Sequence, residues 1–133
     1  MRVFVDASLL IYLNVKTPEE FAKRIENFWR DLLRYHELYT DILVLDETIY
    51  VSKKKYGVTF SETIKFIDRV VTPFIEIVKI DLDEYRTAKD YIVNYELRPS
   101  DAIHIAVIVN YSLDAVASED KDFEKAGIKR LWI

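Results

Sequence analysis

The chain has 133 residues, 50% of them hydrophobic, with seven Phe, nine Tyr, two Trp, no Cys and a formal net charge of −4. That length and apolar content suit one domain, residues 1–133, whose core needs no disulfide or metal staple, and the lack of cysteine excludes a disulfide framework, a thiolate nucleophile and a Cys-ligated zinc site while fitting a cytoplasmic setting. The negative balance argues against tight nonspecific coating of nucleic acid, which draws on Lys and Arg, but not against cutting it.

The first element is the β-branched and aromatic run Arg2-Val3-Phe4-Val5, which stops at Asp6 and passes straight into the apolar helical run Ala7 to Leu13. A carboxylate at the carboxyl end of a strand stands where open α/β sheets form their ligand crevices. Thr17-Pro18-Glu19-Glu20 predicts a capped helix start, and Phe21, Ile25, Phe28, Trp29, Leu32 and Leu33 recur at helical spacing as far as His36. The aromatic stripe Phe21, Phe28, Trp29 reads as core or dimer surface. Leu38-Tyr39-Thr40 reads as a short strand. A helix follows with Ile42, Leu45, Ile49 and Tyr56 on its stripe, stopped by Lys53-Lys54-Lys55 and Gly57.

Thr59-Phe60-Ser61-Glu62 predicts a further capping box and a helix through Ile64, Ile67, Val70 and Val71, ended by Thr72-Pro73; Phe74 to Ile80 then reads as a strand. Asp81 caps a helix with Leu82, Tyr85, Ala88 and Ile92 on one face, and Arg98-Pro99-Ser100-Asp101 opens another. The body of that helix is apolar nearly all round, so it is central and buried. Its longest apolar run, Ile103 to Val109, is far short of the about 20 residues of a membrane span. A short strand over Asp114 to Ser118, a helix over Asp122 to Ala126 closed by Gly127, and a strand over Arg130 to Ile133 complete the chain. Strands alternating with helices predict a three-layer α/β/α sandwich around a mostly parallel sheet.

Four acidic positions fall at element ends or beside an apolar helix stripe: Asp6, Glu47, Asp101, and Asp120 with Asp122 close behind. Carboxylate oxygens without thiolates suit Mg²⁺ or Mn²⁺, and several ionised carboxylates a few Å apart call for such a counter-charge. Each position also has a plain structural reading. Asp101 complements a helix dipole behind Pro99, Asp120 caps the last helix, and Glu47 is an exposed acid beside Asp46. Asp6 has the weakest plain reading, because an ionisable group ending an apolar strand is awkward to bury alone.

Taken in order, Val3-Phe4-Val5-Asp6-Ala7-Ser8, Glu47 within Val44-Leu45-Asp46-Glu47-Thr48, Ser100-Asp101-Ala102 and Ser118-Glu119-Asp120-Lys121-Asp122-Phe123 resemble the PIN-domain nucleases, in particular the VapC-type toxins of prokaryotic toxin-antitoxin pairs. The resemblance spans essentially the whole chain. It implies that Asp6, Glu47, Asp101 and Asp120 are metal-binding acids with Asp122 in support, that Ser8, Ser100 or Ser118 steadies a carboxylate, and that the chain hydrolyses RNA phosphodiesters with Mg²⁺ or Mn²⁺. It further implies a homodimer and an antitoxin partner that covers the pocket.

His104, three residues after Asp101 and on nearly the same helix face, is within reach of metal or substrate by its spacing, but is expected to be a packed, hydrogen-bonded histidine, and His36 a surface one. Arg98 and Lys121 are the better candidates for phosphate contact, since Lys53, Lys54 and Lys55 are also explained by their helix terminus. Two rival classes are a phosphoryl-transfer domain with a strand-end Asp, of the phosphatase or receiver kind, and a catalytically silent interaction module. The phosphatase motif has a second Asp two residues after the first, where this chain has Ser8.

Overall fold

β1 (Arg2–Val5) is the middle strand of a five-stranded sheet in the computed structural model, which describes residues 1–133. Val3, Phe4 and Val5 are all fully buried. Consecutive strand residues point to opposite faces, so both faces of the sheet must be covered. β2 (Glu37–Asp41) and β4 (Ala115–Ala117) flank β1, and β3 (Glu76–Val78) and β5 (Arg130–Leu131) form the edges, in the order β3-β2-β1-β4-β5. Every pairing is parallel; Val3 lies beside Leu38 on one side and Ala115 on the other. With α1 (Ala7–Asn14) packed on α2 (Glu19–Tyr35) and α3 (Ile42–Tyr56), and α5 (Leu82–Tyr95) packed on α6 (Pro99–Asn110), this is the expected α/β/α sandwich, its sheet wholly rather than mostly parallel.

Several helices differ from the expectation in detail. Pro18, not Thr17, occupies the capping position of α2 and gives no side-chain cap. The Thr17 hydroxyl is buried without a partner, so the helix starts on the backbone bond from Ala22 N–H to Pro18 C=O, at 2.8 Å. Along α2 the aromatics pack within the chain, Phe21 on Tyr12 and Phe28 on Trp132.

In α3 the buried residues are Val44, Leu45, Thr48 and Ser52, and Ile42 is exposed. The face is rotated because Asp41, fully buried, caps this helix by accepting the Val44 N–H at 3.0 Å. Gly57 closes α3 at φ 71°, a left-handed conformation that costs glycine little. In α5 the inward residues are Glu84 and Ala88, while Leu82 and Tyr85 stay exposed. Glu84 completes the capping box with Asp81 and accepts from Asn110 Nδ2 at 2.9 Å, which fastens α5 to α6.

α4 (Phe60–Phe66) has the cap the sequence announced: Thr59 Oγ1 accepts the Glu62 N–H at 3.1 Å. The helix then widens into a π-helical turn, Ile67–Val71, which turns Thr63, Ile67 and Val71 inward. Replacing Thr59 with Ala is expected to cost about 1 kcal/mol, read as a lower midpoint in chemical denaturation. α7 (Asp122–Lys125) is a single turn. No helix is long and apolar enough to cross a membrane.

Candidate metal centre

From β1 the chain winds outward to β2 and β3, then returns to the other side of β1 to lay down β4 and β5. The strand order therefore reverses between β1 and β4, and a crevice opens beyond their carboxyl ends. Asp6 follows β1 directly, and Ser118 to Asp120 follow β4. The Asp6 N–H donates to Ala117 C=O at 3.1 Å, continuing the ladder past the strand. Ser118 Oγ donates to Asp6 Oδ2 at 2.6 Å and accepts the Asp120 N–H at 3.0 Å, so one buried hydroxyl ties both acids together. Ser8 Oγ lies 3.4 Å from it and accepts the Glu119 N–H at 3.1 Å. Ser100 makes no hydrogen bond to any of the acids.

Two helices bring the other acids. Glu47 projects from the second turn of α3, and Asp101 from the first turn of α6. Asp6, Glu47, Asp101 and Asp120 all line one cleft of about 390 Å³. Of the four, Asp6 and Glu47 form a group with His104, each of the three offering a ligand atom within 4.8 Å of the others. Asp101 is instead turned towards Arg98, whose Nε donates to it at 3.2 Å and whose Nη2 donates to Glu47 at 3.4 Å. Asp122 does not line the cleft. Its carboxylate pairs with Lys125 at 2.9 Å, and its contribution to the acids is its backbone N–H, donated to Asp120 Oδ1 at 2.9 Å.

Burial dominates the electrostatics of Asp6 and pushes its carboxyl up to about 6. The His104 charge, the Ser118 hydroxyl and the Ala7 N–H pull in the other direction, and Glu47 adds to the rise. For His104 burial acts downward, but the Asp41 hydrogen bond and the charges of Asp41, Asp6 and Asp101 outweigh it and hold the imidazole above its ordinary value. His104 is packed against Phe4 and hydrogen-bonded, as expected: its Nδ1 lies 2.7 Å from Asp41 Oδ2, both side chains being fully buried. Its other nitrogen, Nε2, is buried with no partner, a state that by itself costs about 1–3 kcal/mol.

The sequence profile of the PIN domain matches residues 3–129 of the chain. The chain belongs to the PIN-domain family. No curated protein matches it in sequence. Solved structures with the same fold are VapC20 of Mycobacterium tuberculosis, a sarcin-ricin loop cleaving toxin, with TM-score 0.79 and 19% identity over 95% of both chains; VapBC2 of Rickettsia felis bound to a promoter DNA fragment, with TM-score 0.75 and 13% identity over 99% of this chain and 98% of that one; and a toxin-antitoxin complex of Klebsiella pneumoniae, with TM-score 0.65 and 20% identity over 91% and 89%.

The cleft of this PIN domain also holds residues the sequence did not single out. Tyr12, Tyr50 and Tyr56 line it beside Lys54 and Lys55, which places two of the three clustered lysines at the cleft, while Lys53 Nζ sits 4.3 Å over the Phe60 ring. Lys121 is exposed and outside it. Asp41 acts on the site from behind it, through its hydrogen bond with His104. A readable signal existed, since Asp41, like Asp6, follows a short β-branched and aromatic run and precedes a helix.

Proposed function

We propose that this PIN domain, residues 1–133, is a cytoplasmic, divalent-metal-dependent endoribonuclease and the toxin of a toxin-antitoxin pair. The observation that carries this reading is the arrival of Asp6, Glu47, Asp101 and Asp120, from four separate parts of the chain, at one cleft beyond the strand-order reversal. The donor set fits a hard cation: it is oxygen-rich, and Asp6 and Glu47 are close enough to share one. Asp6 and Glu47 would hold Mg²⁺ or Mn²⁺, with Asp101 and Asp120 completing the acidic wall and Asp122 steadying Asp120 through its backbone. A divalent cation supplies positive charge to the phosphoryl and leaving oxygens and makes an attacking water more acidic.

The chain's own residues do the rest. Ser118 orients Asp6 and Asp120, and Arg98 neutralises Glu47 and Asp101 from a side chain that is 67% exposed and so free to turn to a phosphate. Lys54 and Lys55 can draw the nucleic-acid backbone inward despite the net charge of −4, and Tyr50 and Tyr56 offer faces on which unpaired bases stack. The fold shared with VapC20, the sarcin-ricin loop cleaving toxin, supports RNA as substrate. The fold shared with the R. felis and K. pneumoniae complexes supports an antitoxin partner; that partner would cover the cleft, and the toxin would be a homodimer.

Tag-free protein incubated with a mixed RNA pool is expected to make internal cuts with Mg²⁺ or Mn²⁺ and none with EDTA. Cutting that persists in EDTA would remove the metal from the mechanism. Turnover of a small phosphomonoester in place of RNA would favour the phosphoryl-transfer rival.

A further inference from the structure

We propose that His104 is a nitrogen ligand of the divalent cation, bound through Nε2 beside Asp6 and Glu47, and that Asp41 is the positioning residue that holds its ring. The inference rests on the nuclease reading of the same cleft and adds a ligand of a different chemical kind.

Three observations carry it. First, the imidazole is fully buried, yet Nε2 has no hydrogen-bond partner; buried polar groups without partners are rare enough that an ion or water is the usual explanation. Second, His104 shares bonding reach with Asp6 and Glu47. With Nδ1 committed to Asp41 at 2.7 Å, Nε2 is the nitrogen left to coordinate. Third, a carboxylate on Nδ1 is what fixes a metal-binding histidine. Asp41 accepts the Nδ1 proton, sets the tautomer and leaves the lone pair on Nε2. Asp41 is itself held by the Val44 N–H at 3.0 Å, so α3, which carries Glu47, also carries the group that aims His104.

One consequence is a preference among metals. Carboxylate oxygens alone suit Mg²⁺ or Mn²⁺, whereas an imidazole nitrogen raises a site's relative affinity for later transition ions such as Fe²⁺, Ni²⁺ and Zn²⁺.

The test exploits a chain with only two histidines. His36 sits beside the Met1 amine at the opposite, amino-terminal end of the strands, so H36Q leaves one imidazole in the protein. Tag-free H36Q loaded with Mn²⁺ is expected to show, in pulsed EPR, the ¹⁴N coupling of a directly bound imidazole, and H104Q is expected to lack it. Asp41→Asn retains a good helix cap but gives the ring an amide in place of a carboxylate, and is expected to weaken Mn²⁺ binding by about 10–100-fold in calorimetry. Mn²⁺ bound without ¹⁴N coupling in H36Q would overturn the His104 assignment and leave the nuclease reading intact. Absence of any Mn²⁺ binding by the wild type would remove both. Unchanged Mn²⁺ affinity in D41N would overturn the role given to Asp41. The H36Q spectrum decides the ligand even if H104Q does not fold.

Discussion

Replacing Asp6 with Asn is expected to reduce RNA cleavage by at least about a thousandfold, while leaving the metal-free protein folded and, at pH 8, more stable than the wild type. The loss follows from removing a charged metal ligand, which takes away several kcal/mol of transition-state stabilisation; about 4 kcal/mol is a factor of a thousand in rate. The gain follows from burial. Asp6 is 7% exposed and its carboxyl is held at about 6 against an ordinary 3.8, chiefly by desolvation, so ionising it costs the metal-free fold about 3 kcal/mol.

Asn has the same shape, and its carbonyl can still accept from Ser118 Oγ, now at 2.6 Å from Asp6 Oδ2. Function and stability therefore move in opposite directions at one residue, as happens where a site is kept strained for its chemistry. Full cleavage by D6N would take Asp6 out of the mechanism. A melting temperature well below wild type in EDTA at pH 8 would show that Asp6 holds the fold rather than burdens it.

The second large effect is the dependence of wild-type stability on pH and metal. Asp6 has a higher proton affinity in the folded chain than in the unfolded one. Between pH about 4 and about 6 the native state therefore binds more protons. Its extra stability is complete below the unfolded value of 3.8 and is lost as pH rises through the folded value of about 6. His104 acts with the same sign: its folded value is raised above the ordinary 6.5, and its contribution fades as pH climbs past that folded value. In EDTA the melting temperature should thus fall from pH 5 to pH 8. Mn²⁺ should reverse the trend, because the cation binds the deprotonated ligands and stabilises the fold in proportion to the logarithm of its excess over Kd. A melting temperature in EDTA that rises or stays level from pH 5 to pH 8 would contradict the burial of an ionised Asp6.

Much of the fold is readable from neighbouring residues. The run Arg2 to Val5 ending at Asp6, the Thr59 and Asp81 caps, Pro99 at the first position of α6 and Gly57 past the end of α3 are all decided within a turn or two of chain, where propensity and local hydrogen bonds act. Helix rotation is less readable. In α3 and α5 the exposed Ile42, Leu82 and Tyr85 look like core residues on a stripe, and what turned the helices was a buried acid in each case, Asp41 and Glu84, with partners 63 and 26 residues away.

The site divides in the same way. Asp6, Asp101 and Asp120 carry a local mark as acids at a strand end, a helix start and behind a strand, whereas Glu47, within α3, is picked out by the ordered resemblance to the family. Which oxygens come within reach of one ion, which acid Arg98 takes, which lysines face the cleft and where the free nitrogen of His104 points are set by the β3-β2-β1-β4-β5 order and the rotation of α3 and α6 against it. Apart from the Arg98–Asp101 pair, three positions apart within the start of α6, those are distances between residues remote in the chain, and they exist only once the sheet has closed its pairings and the helices have packed.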